Sequence, residues 1–490
     1  MTTEIICPGI DEYMKPFFGY FNRCEGHELA ENYVTGLLMD GERKSVEPMS
    51  EKVNASERSM QRLLSDVKWD DKGVAAQYRR TMLSATADPL GILVLDDTGF
   101  PKKGRDSACV ARQYCGASGK TDNCQIGVSM TYVGCDVAWP YTMELFIPES
   151  WNQADNDDCN ARRKKTRMPE SARYRPKWRI ALDFVDLARK DHVPHRAVLA
   201  DSWYGNIPEF RQELDSHGES YILGVYSNTQ VFLETPVLEI APVKEQSRGR
   251  PRTRPNFVAV NPEPVILSAL GESIADDAWQ RLELRRDSRD KPLLVEAVSL
   301  RVWPAHGWRK GSLHEQVWLL IERRQLTDGE HELRYFFSNM PQHMPTIDLA
   351  RLYHERYWIE HGYQQLKEEL GMDHHEGRSW TGWHRHVLLV FLAYGYLTLL
   401  RLQEKKQMNL TAWRQWLQSF RTNRHWGESI SPEYASYIEI ATALLFYTFI
   451  RALAEKTTHQ VHAFASRYQA SDCQAVNHAF EMLKSYNMSE

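Results

Sequence analysis

The chain lacks several features that would define its class at once. Its 490 residues carry 60 Lys and Arg against 65 Asp and Glu, a net charge of −5, so it is not a uniformly basic nucleic-acid-binding module. None of its eight cysteines forms a C-x2-C pair, and no His cluster completes a zinc spacing. We therefore expect reduced, buried thiols of a cytoplasmic protein and no disulfide framework. The N-terminus carries acids and no long apolar run, which argues against a signal peptide.

Long apolar runs are also scarce. The most apolar segment, residues 386–402, reads HVLLVFLAYGYLTLLRL and includes polar residues. It is short of a membrane span and predicts a buried core helix, so we expect no membrane partner. A chain of this length predicts two to four domains, each able to bury a core.

Two short apolar runs end in acidic residues. GILVLDDTGFPKKG, which begins at Gly91, reaches Asp96 and Asp97, and RAVLADSWYGN reaches Asp201 before it turns into a helix. Apolar runs of this length bounded by turn residues are typical of central buried strands. The acids could cap turns, but an acid at the end of a buried strand needs a partner, and a divalent metal is a natural one. Open sheets of this kind place ligands at the carboxyl ends of their strands.

Residues 351–371, RLYHERYWIEHGYQQLKEELG, predict one long helix. Tyr353, Arg356, Glu360 and Lys367 would lie along one stripe of it, because their spacing returns to nearly the same azimuth. The stripe is either a surface ion-pair ladder or a metal-binding carboxylate flanked by two phosphate-binding cations. Two strands that end in acids, followed much later by a helical Glu, are the layout of a ribonuclease H-like nucleotidyl transferase.

The spacing Tyr353-x2-Arg356-x3-Glu360-x6-Lys367 resembles the Y-R-E-K signature of bacterial insertion-sequence DDE transposases. Further segments are similar to motifs of the insertion-sequence seven-zero-one family. Residues 377–397 resemble the segment that follows the signature, and residues 36–49 resemble the family's N-terminal domain. Residues 95–104 and 111–130 resemble its first acidic motif, and residues 199–206 resemble its second. The resemblance covers most of the chain up to residue 401, is weak in the middle and is absent from the tail.

The resemblance implies a cut-and-paste DNA transposase that acts on the inverted ends of its own element. The expected partners are double-stranded DNA at the element ends, target DNA and a second copy of the chain in the DNA complex. The protein would work in a bacterial cytoplasm, associated with the nucleoid. Two alternatives stay open: a domesticated DNA-binding protein that has lost catalysis, and a site-specific endonuclease without strand transfer.

Three acids are the candidate catalytic and metal-binding residues. Asp96 would bridge two divalent ions about 3.5–4 Å apart, and Asp201 and Glu360 would each hold one. Ligands that are all oxygen favour Mg²⁺, with Mn²⁺ as a substitute. The related family often has Glu at the position of Asp97, so Asp96 is the preferred ligand and Asp97 the alternate.

Several side chains are candidates for contacts with DNA. Arg356 and Lys367 would neutralise phosphate charge, and Tyr353 would pack against or hydrogen-bond a phosphate. Lys102 and Lys103 place positive charge beside the acids, where it suits a phosphate chain. The further basic candidates, which could instead belong to a solvated face or loop, are Arg62, Arg250 and Arg252. Tryptophans that could hold unstacked bases, with core packing as the alternative role, are Trp203, Trp358, Trp380 and Trp383.

The expected fold class is α/β, with a ribonuclease H-like core flanked by helical domains. The core comprises residues 89–226 and 345–400, the latter with the catalytic helix, and a mainly β insertion at 227–344 separates its two parts. Residues 1–88 form a helical DNA-binding domain and residues 401–490 a helical C-terminal domain. Within the core, residues 111–134 and 137–148 are predicted to be two strands joined by a turn near Gly134.

Overall fold

A computed structural model describes residues 9–422, apart from residues 136, 241–256, 287–291, 307–314 and 326–329. Contacts divide the chain into two compact units, Met1–Gln403 and Glu404–Glu490. The helices of the described residues are α1 Ile10–Met14, α2 Cys24–Leu38, α3 Val46–Lys52, α4 Glu57–Ser65, α5 Asp71–Thr86, α6 Asp157–Lys165, α7 Lys177–Lys190, α8 Ser202–Gly205, α9 Pro208–Ser216, α10 Leu267–Glu272, α11 Thr346–His354, α12 Tyr357–Gln364 and α13 Trp380–Thr422.

The strands and helices together give the mixed α/β class that the sequence predicted. They are β1 Ile92–Pro101, β2 Ala111–Cys115, β3 Lys120–Gly134, β4 Val137–Leu145, β5 Ala197–Ala200, β6 Tyr221–Val225, β7 Gln230–Phe232, β8 Val237–Ile240, β9 Phe257–Asn261, β10 Val265–Ile266, β11 Gln280–Arg286, β12 Pro292–Pro304, β13 Val317–Gln325 and β14 His331–Ser338. Twelve of them form one sheet, and β8 pairs with β9 separately.

The centre of the sheet has the order β4-β3-β1-β5-β6. β1 runs antiparallel to β3 and parallel to β5, and β5 runs parallel to β6. The apolar run of β1 is buried from Ile92 to Leu95, as expected for a central strand. The strand does not end at the acids as predicted, because its pairing with β3 continues through both of them to Pro101.

Residues 111–134 are two strands, not the single strand that the sequence predicted. β2 pairs with the first part of β3, and the two are joined by a turn with Gly119 at φ +65°. The small residues of the connection, Gly-Ala-Ser-Gly, suit such a turn. The predicted turn near Gly134 is confirmed, since β3 and β4 form a hairpin there.

The mainly β block after residue 226 continues the same sheet. β14 pairs with β6, and β13 and β12 follow outward, so the central strands extend into this block without a break. Its own apolar side chains, among them Val302, Leu319 and Phe337, form a separate cluster. The predicted strand content is therefore found there, but as an extension of the central sheet.

The N-terminal helices α1–α5 share a core with the sheet and with α13. The hydroxyl of Tyr33 lies 2.8 Å from Nδ1 of His386, and the hydroxyl of Tyr13 donates to the Leu392 carbonyl at 2.9 Å. The buried guanidinium of Arg385 donates to the carbonyl oxygen of Val67 at 2.8 Å and to others at the end of α4. By length and composition, residues Trp380–Glu404 of α13 could cross a bilayer, yet 72% of the most apolar window is buried inside the protein.

Candidate active site

Asp96 and Asp201 lie at the same level of two neighbouring parallel strands. The register of β1 and β5 pairs Val94 with Leu199, and each acid stands two residues beyond that pair. The two carboxylates therefore meet where β5 ends and its helix turns away, at the carboxyl edge of the parallel pair. Burial raises the pKa of Asp96 to about 7, against the opposing charge of Arg356 and together with the negative charge of Asp201.

Asp201 also fixes the turn that follows β5. Its Oδ1 accepts hydrogen bonds from the backbone N–H groups of Trp203, at 3.0 Å, and Tyr204, at 3.3 Å. Burial raises the pKa of Asp201, and these N–H donors oppose the rise. The turn packs directly on β6, because a Cβ at Gly205 would lie only 1.9 Å from the Gly224 carbonyl oxygen.

Asp96 and Asp97 point to opposite faces of the sheet, as successive strand residues do. The even-numbered neighbour Val94 packs in the cluster that holds Ile359 of α12, so Asp96 faces that helix. Asp97 instead accepts a hydrogen bond at 2.9 Å from Nζ of Lys177, the first residue of α7. The alternate acid is thus already neutralised on the far face of the sheet.

The predicted single helix over residues 351–371 is broken. α11 ends at His354, α12 begins at Tyr357, and one turn of π-helix follows at Gln365–Glu369. The stripe of four side chains is consequently divided among three short elements. Periodicity alone did not reveal the break, because the apolar residues keep helical spacing across it.

Arg356 stands at the break and bridges two acids. Its Nη1 donates to Oδ2 of Asp96 at 3.1 Å, and its Nη2 donates to Oε1 of Glu360. The Arg356 side chain is 18% exposed, whereas that of Glu360 is 55% exposed. One guanidinium therefore ties the third acid of the signature to the first and carries the positive charge that lies between them.

Tyr353 and Lys367 are anchored to the sheet. The ring of Tyr353 packs on Phe336 with centroids 4.0 Å apart, and burial raises its pKa to about 12. Nζ of Lys367 donates to Oγ1 of Thr98 at 2.7 Å and to the Gly99 carbonyl at 2.8 Å, and burial lowers its pKa. Lys367 thus contacts β1 just past the acids.

The other basic candidates divide into three groups. Lys102 donates to the His375 carbonyl at 2.7 Å and is held inside the fold. Lys103 and Arg62 are exposed, the first after β1 and the second on α4. Arg250 and Arg252 lie outside the described residues. Of the tryptophans, Trp383 is buried against Phe100, which assigns it to the core.

The donor set fits a metal only in part. Within the ranges that the structure describes, no three His, Cys, Asp or Glu side chains gather closely enough to hold an ion. Asp96 and Asp201 offer carboxylate oxygens, the ligands that Mg²⁺ prefers, and burial, which raises the pKa of both, disfavours their ionised forms unless a cation is bound. Glu360 is paired with Arg356 and would have to leave it to join such a set.

Sequence reasoning missed Lys177. It neutralises Asp97, and its Nζ lies 5.5 Å from the ring centroid of Trp203 and 5.7 Å from that of Phe146. Its only sequence signal was its place after Pro176 at the start of an amphipathic helix. Likewise, the hydroxyls of Ser129 and Tyr363 lie 2.6 Å apart and join β3 to α12, and no sequence motif predicted this contact.

Comparison with known proteins shows the family to which the chain belongs. A family model described as DDE superfamily endonuclease matches residues 16–291, more than half of the chain, and these include Asp96 and Asp201 but not Glu360. The chain therefore belongs to the DDE superfamily endonucleases. It is also 24% identical over 364 residues to the probable transposase for insertion sequence element IS701 of Microchaete diplosiphon, a match that covers 74% of this chain and 80% of that relative.

Within the superfamily, the chain is thus similar to the IS701 transposase. The resemblance that the Y-R-E-K spacing and the acidic motifs indicated is thereby confirmed.

Proposed function

We propose that the protein excises its insertion sequence and joins it to target DNA by two-metal phosphoryl transfer at the inverted terminal repeats. The proposal depends on one observation: the register of β1 and β5 places Asp96 beside Asp201, and Arg356 donates hydrogen bonds to both Asp96 and Glu360. The central strand order β4-β3-β1-β5-β6, with its antiparallel and parallel pairs, supports a ribonuclease H-like core.

The three acids would hold the metal. Asp96, Asp201 and Glu360 would supply the ligands, through oxygen atoms that suit Mg²⁺ or Mn²⁺. Bound ions supply activation of a water or a DNA 3′-hydroxyl and stabilise the leaving oxygen. Because burial raises the pKa of Asp96 to about 7, a bound cation would favour its ionised form and release protons near neutral pH.

The cations of the signature would contact the DNA backbone. Arg356 presents a planar fork of N–H donors that fits a phosphate as well as it fits the carboxylates it now holds. Its transfer to a phosphate would free Glu360 for the metal. Lys367 would contribute a positive charge beside β1, and Tyr353, packed on Phe336, would support the helix break.

Duplex DNA at the element ends would be bound through the helical N-terminal region, where Arg62 is exposed on α4, and through Lys103. Lys102, Arg250 and Arg252 are further proposed contacts, and two copies of the chain would act together in the DNA complex, associated with the nucleoid. Such phosphate contacts make affinity strongly dependent on salt.

The test uses supercoiled DNA, an oligonucleotide with an element end, and Mg²⁺. Joined products support the transposase. Nicks without joining would favour an endonuclease, and binding without cleavage would favour a DNA-binding protein that has lost catalysis. Asp96→Asn is the matched control, because it keeps the size of the side chain and removes its charge.

A further inference from the structure

A polar pocket lies at the start of α9, at the same edge of the sheet as the paired acids. It is formed by the end of α8, the first turns of α9, the turn between β6 and β7, and the residues that follow β12. Its volume is about 230 Å³, and a cavity needs only about 10–15 Å³ to hold one water, so it has room for a small polyatomic ligand. Its polar lining side chains are Asn206, Asn228, Thr229, Gln230, Arg211 and His306.

Hydrogen bonds join the walls of this pocket to one another and to the acidic edge. Asp201 caps the first residues of α8, and Asn206 follows the last residue of the same short helix. Oδ1 of Asn206 accepts a hydrogen bond from Oγ1 of Thr229 at 2.7 Å, which ties α8 to the turn after β6. The N–H of Ala305 donates to the Gln230 carbonyl at 2.9 Å, which fixes the end of β12 beside β7. The walls are therefore held in place without a ligand.

Arg211 is a buried cation in the wall of the pocket. It is 7% exposed, its Nη1 donates to the Gly205 carbonyl, and its guanidinium carbon lies 5.4 Å from the ring centroid of Phe337. A guanidinium has five N–H donors, and the carbonyl accepts from one of its nitrogens. Burial lowers the pKa of Arg211, and the negative charges of Asp215 and Glu209 on the same helix oppose the change.

The chemistry of the lining favours an oxyanion. Of the described residues that line the pocket, none is Asp or Glu, so its charge is positive and its other polar groups include the hydrogen-bond donors of amides and a hydroxyl. The N-terminus of α9 adds a partial positive charge, and Ile207 at its cap supplies no side-chain hydrogen bond to it. A guanidinium beside a helix N-terminus is a combination that suits phosphate, because both present N–H groups to its oxygens.

We propose that this pocket binds one phosphate group, held by Arg211 at the start of α9. The group is either a backbone phosphate of the DNA strand that passes the acids or free inorganic phosphate. The first source rests on the proposed function, and the second does not. A backbone phosphate in the pocket would hold the strand one short helix away from Asp201 and thereby help to determine which bond reaches the acids.

The first experiment titrates inorganic phosphate into the full-length protein in EDTA and follows the heat of binding and the Tm. The wild type should bind phosphate, and its Tm should rise with phosphate concentration. Arg211→Gln removes the buried charge, and Asn228→Asp places a carboxylate at the exposed rim, so each should weaken phosphate binding by about tenfold or more. Asn228→Asp tests the pocket if Arg211→Gln proves unable to fold.

Asn22→Asp provides the matched control. Asn22 is also exposed, and it lies before α2, outside the lining of the pocket. Its substitution makes the same change of size and charge as Asn228→Asp, and it should leave phosphate affinity as it is in the wild type. Thermal melts of each variant without phosphate separate loss of binding from loss of fold.

The second experiment distinguishes the two sources of the phosphate by measuring the binding of element-end DNA over a series of salt concentrations. If the ligand is a backbone phosphate, Asn228→Asp should weaken DNA binding and reduce the salt slope by about one, and Asn22→Asp should do neither. If the ligand is free phosphate, Asn228→Asp should lose phosphate binding and keep the DNA affinity and the slope of the wild type.

Two results would overturn the pocket alone. One is wild-type protein that binds no inorganic phosphate, together with an Asn228→Asp variant that binds end DNA as the wild type does. The other is a loss of phosphate or DNA binding in Asn22→Asp equal to that in Asn228→Asp. Wild-type protein that binds phosphate through this pocket and never cleaves end DNA in Mg²⁺ would instead overturn the proposed function and leave the pocket standing.

Discussion

Arg356 and Asp96, 260 residues apart in the chain, are joined by a hydrogen bond of 3.1 Å between Nη1 and Oδ2. The bond connects the break in the signature helix to the central strand of the sheet. A guanidinium at this place neutralises the carboxylate as a metal ion would, and it also repels an approaching divalent cation. Metal binding and DNA binding are consequently expected to depend on each other through one side chain.

The first prediction is that Arg356→Ala tightens the binding of Mn²⁺ to DNA-free protein by about tenfold, because the competing charge is gone. Cleavage should nevertheless fall, since a phosphate contact is lost. Calorimetric titration with Mn²⁺ measures the first effect. Arg356→Lys, which keeps the charge, is the control and should bind Mn²⁺ much as the wild type does. Unchanged affinity in Arg356→Ala would contradict the competition.

The second prediction separates the neighbouring acids. Asp96→Asn should abolish cleavage while the affinity for end DNA survives. Asp97→Asn should leave cleavage largely intact but lower the free energy of unfolding by about 1–2 kcal/mol, because Lys177 loses its charged partner in a half-buried position. Cleavage assays and urea unfolding of both variants provide the comparison. The reverse pattern would show that Asp97 is the ligand.

The third prediction concerns Glu360 and Lys367. Glu360→Gln should retain fold and DNA affinity and lose cleavage by about a thousandfold or more, since a metal ligand is removed. Lys367→Met keeps the length of the side chain but removes the ammonium, which lies 5.1 Å from the Phe100 ring centroid and donates to Thr98, so cleavage should fall less and stability by about 1 kcal/mol. Cleavage assays on the two variants are compared with thermal melts. Normal cleavage by Glu360→Gln would refute its proposed role.

The fourth prediction is a pH dependence of stability. Burial raises the pKa of Asp96 from 3.8 to about 7, above its value in the unfolded chain. A carboxyl with a raised folded-state pKa contributes stability below its unfolded pKa and loses it as pH rises towards 7, so metal-free protein should become less stable over that interval. Mg²⁺ binds the ionised form, and the rise in Tm that it causes should be larger at pH 8 than at pH 5.5.

Asp96→Asn supplies the control for these melts. It removes the titrating group, so the decline in Tm between pH 4 and 7 and the Mg²⁺ effect at pH 8 should both shrink. An equal Mg²⁺ effect at both pH values in the wild type would argue against ionisation of these carboxyls upon metal binding.

The sequence predicted the parts of the site that are local. The apolar runs before Asp96 and Asp201 predicted buried strands with acids beyond them, because a strand in the centre of a sheet is apolar on both faces. The sequence did not predict the register that places the two acids side by side. Pairing between strands about a hundred residues apart does not change the hydrophobic pattern of either strand. That register depends on packing across the whole sheet.

The helix break and the partner of Asp97 were missed for a related reason. Helical periodicity continues across Glu355 and Arg356, although the backbone there makes tighter turns, with Arg356 N–H donating to the Tyr353 carbonyl at 3.0 Å. Lys177 is one of many lysines, and its role follows from the face of β1 to which Asp97 points. Ion pairs between distant elements are invisible to local sequence pattern, whereas turns are not, as the hairpin turn near Gly134 illustrates.

The shared core of the N-terminal helices and α13 has a consequence for the chain during its synthesis. Tyr33 leaves the ribosome early, yet its partner His386 lies 353 residues later. The first helices therefore cannot complete their packing, and keep apolar surface exposed, until α13 has been translated. A chain cut short before that point would keep the apolar surface of these helices exposed, and such surface makes proteins prone to aggregation.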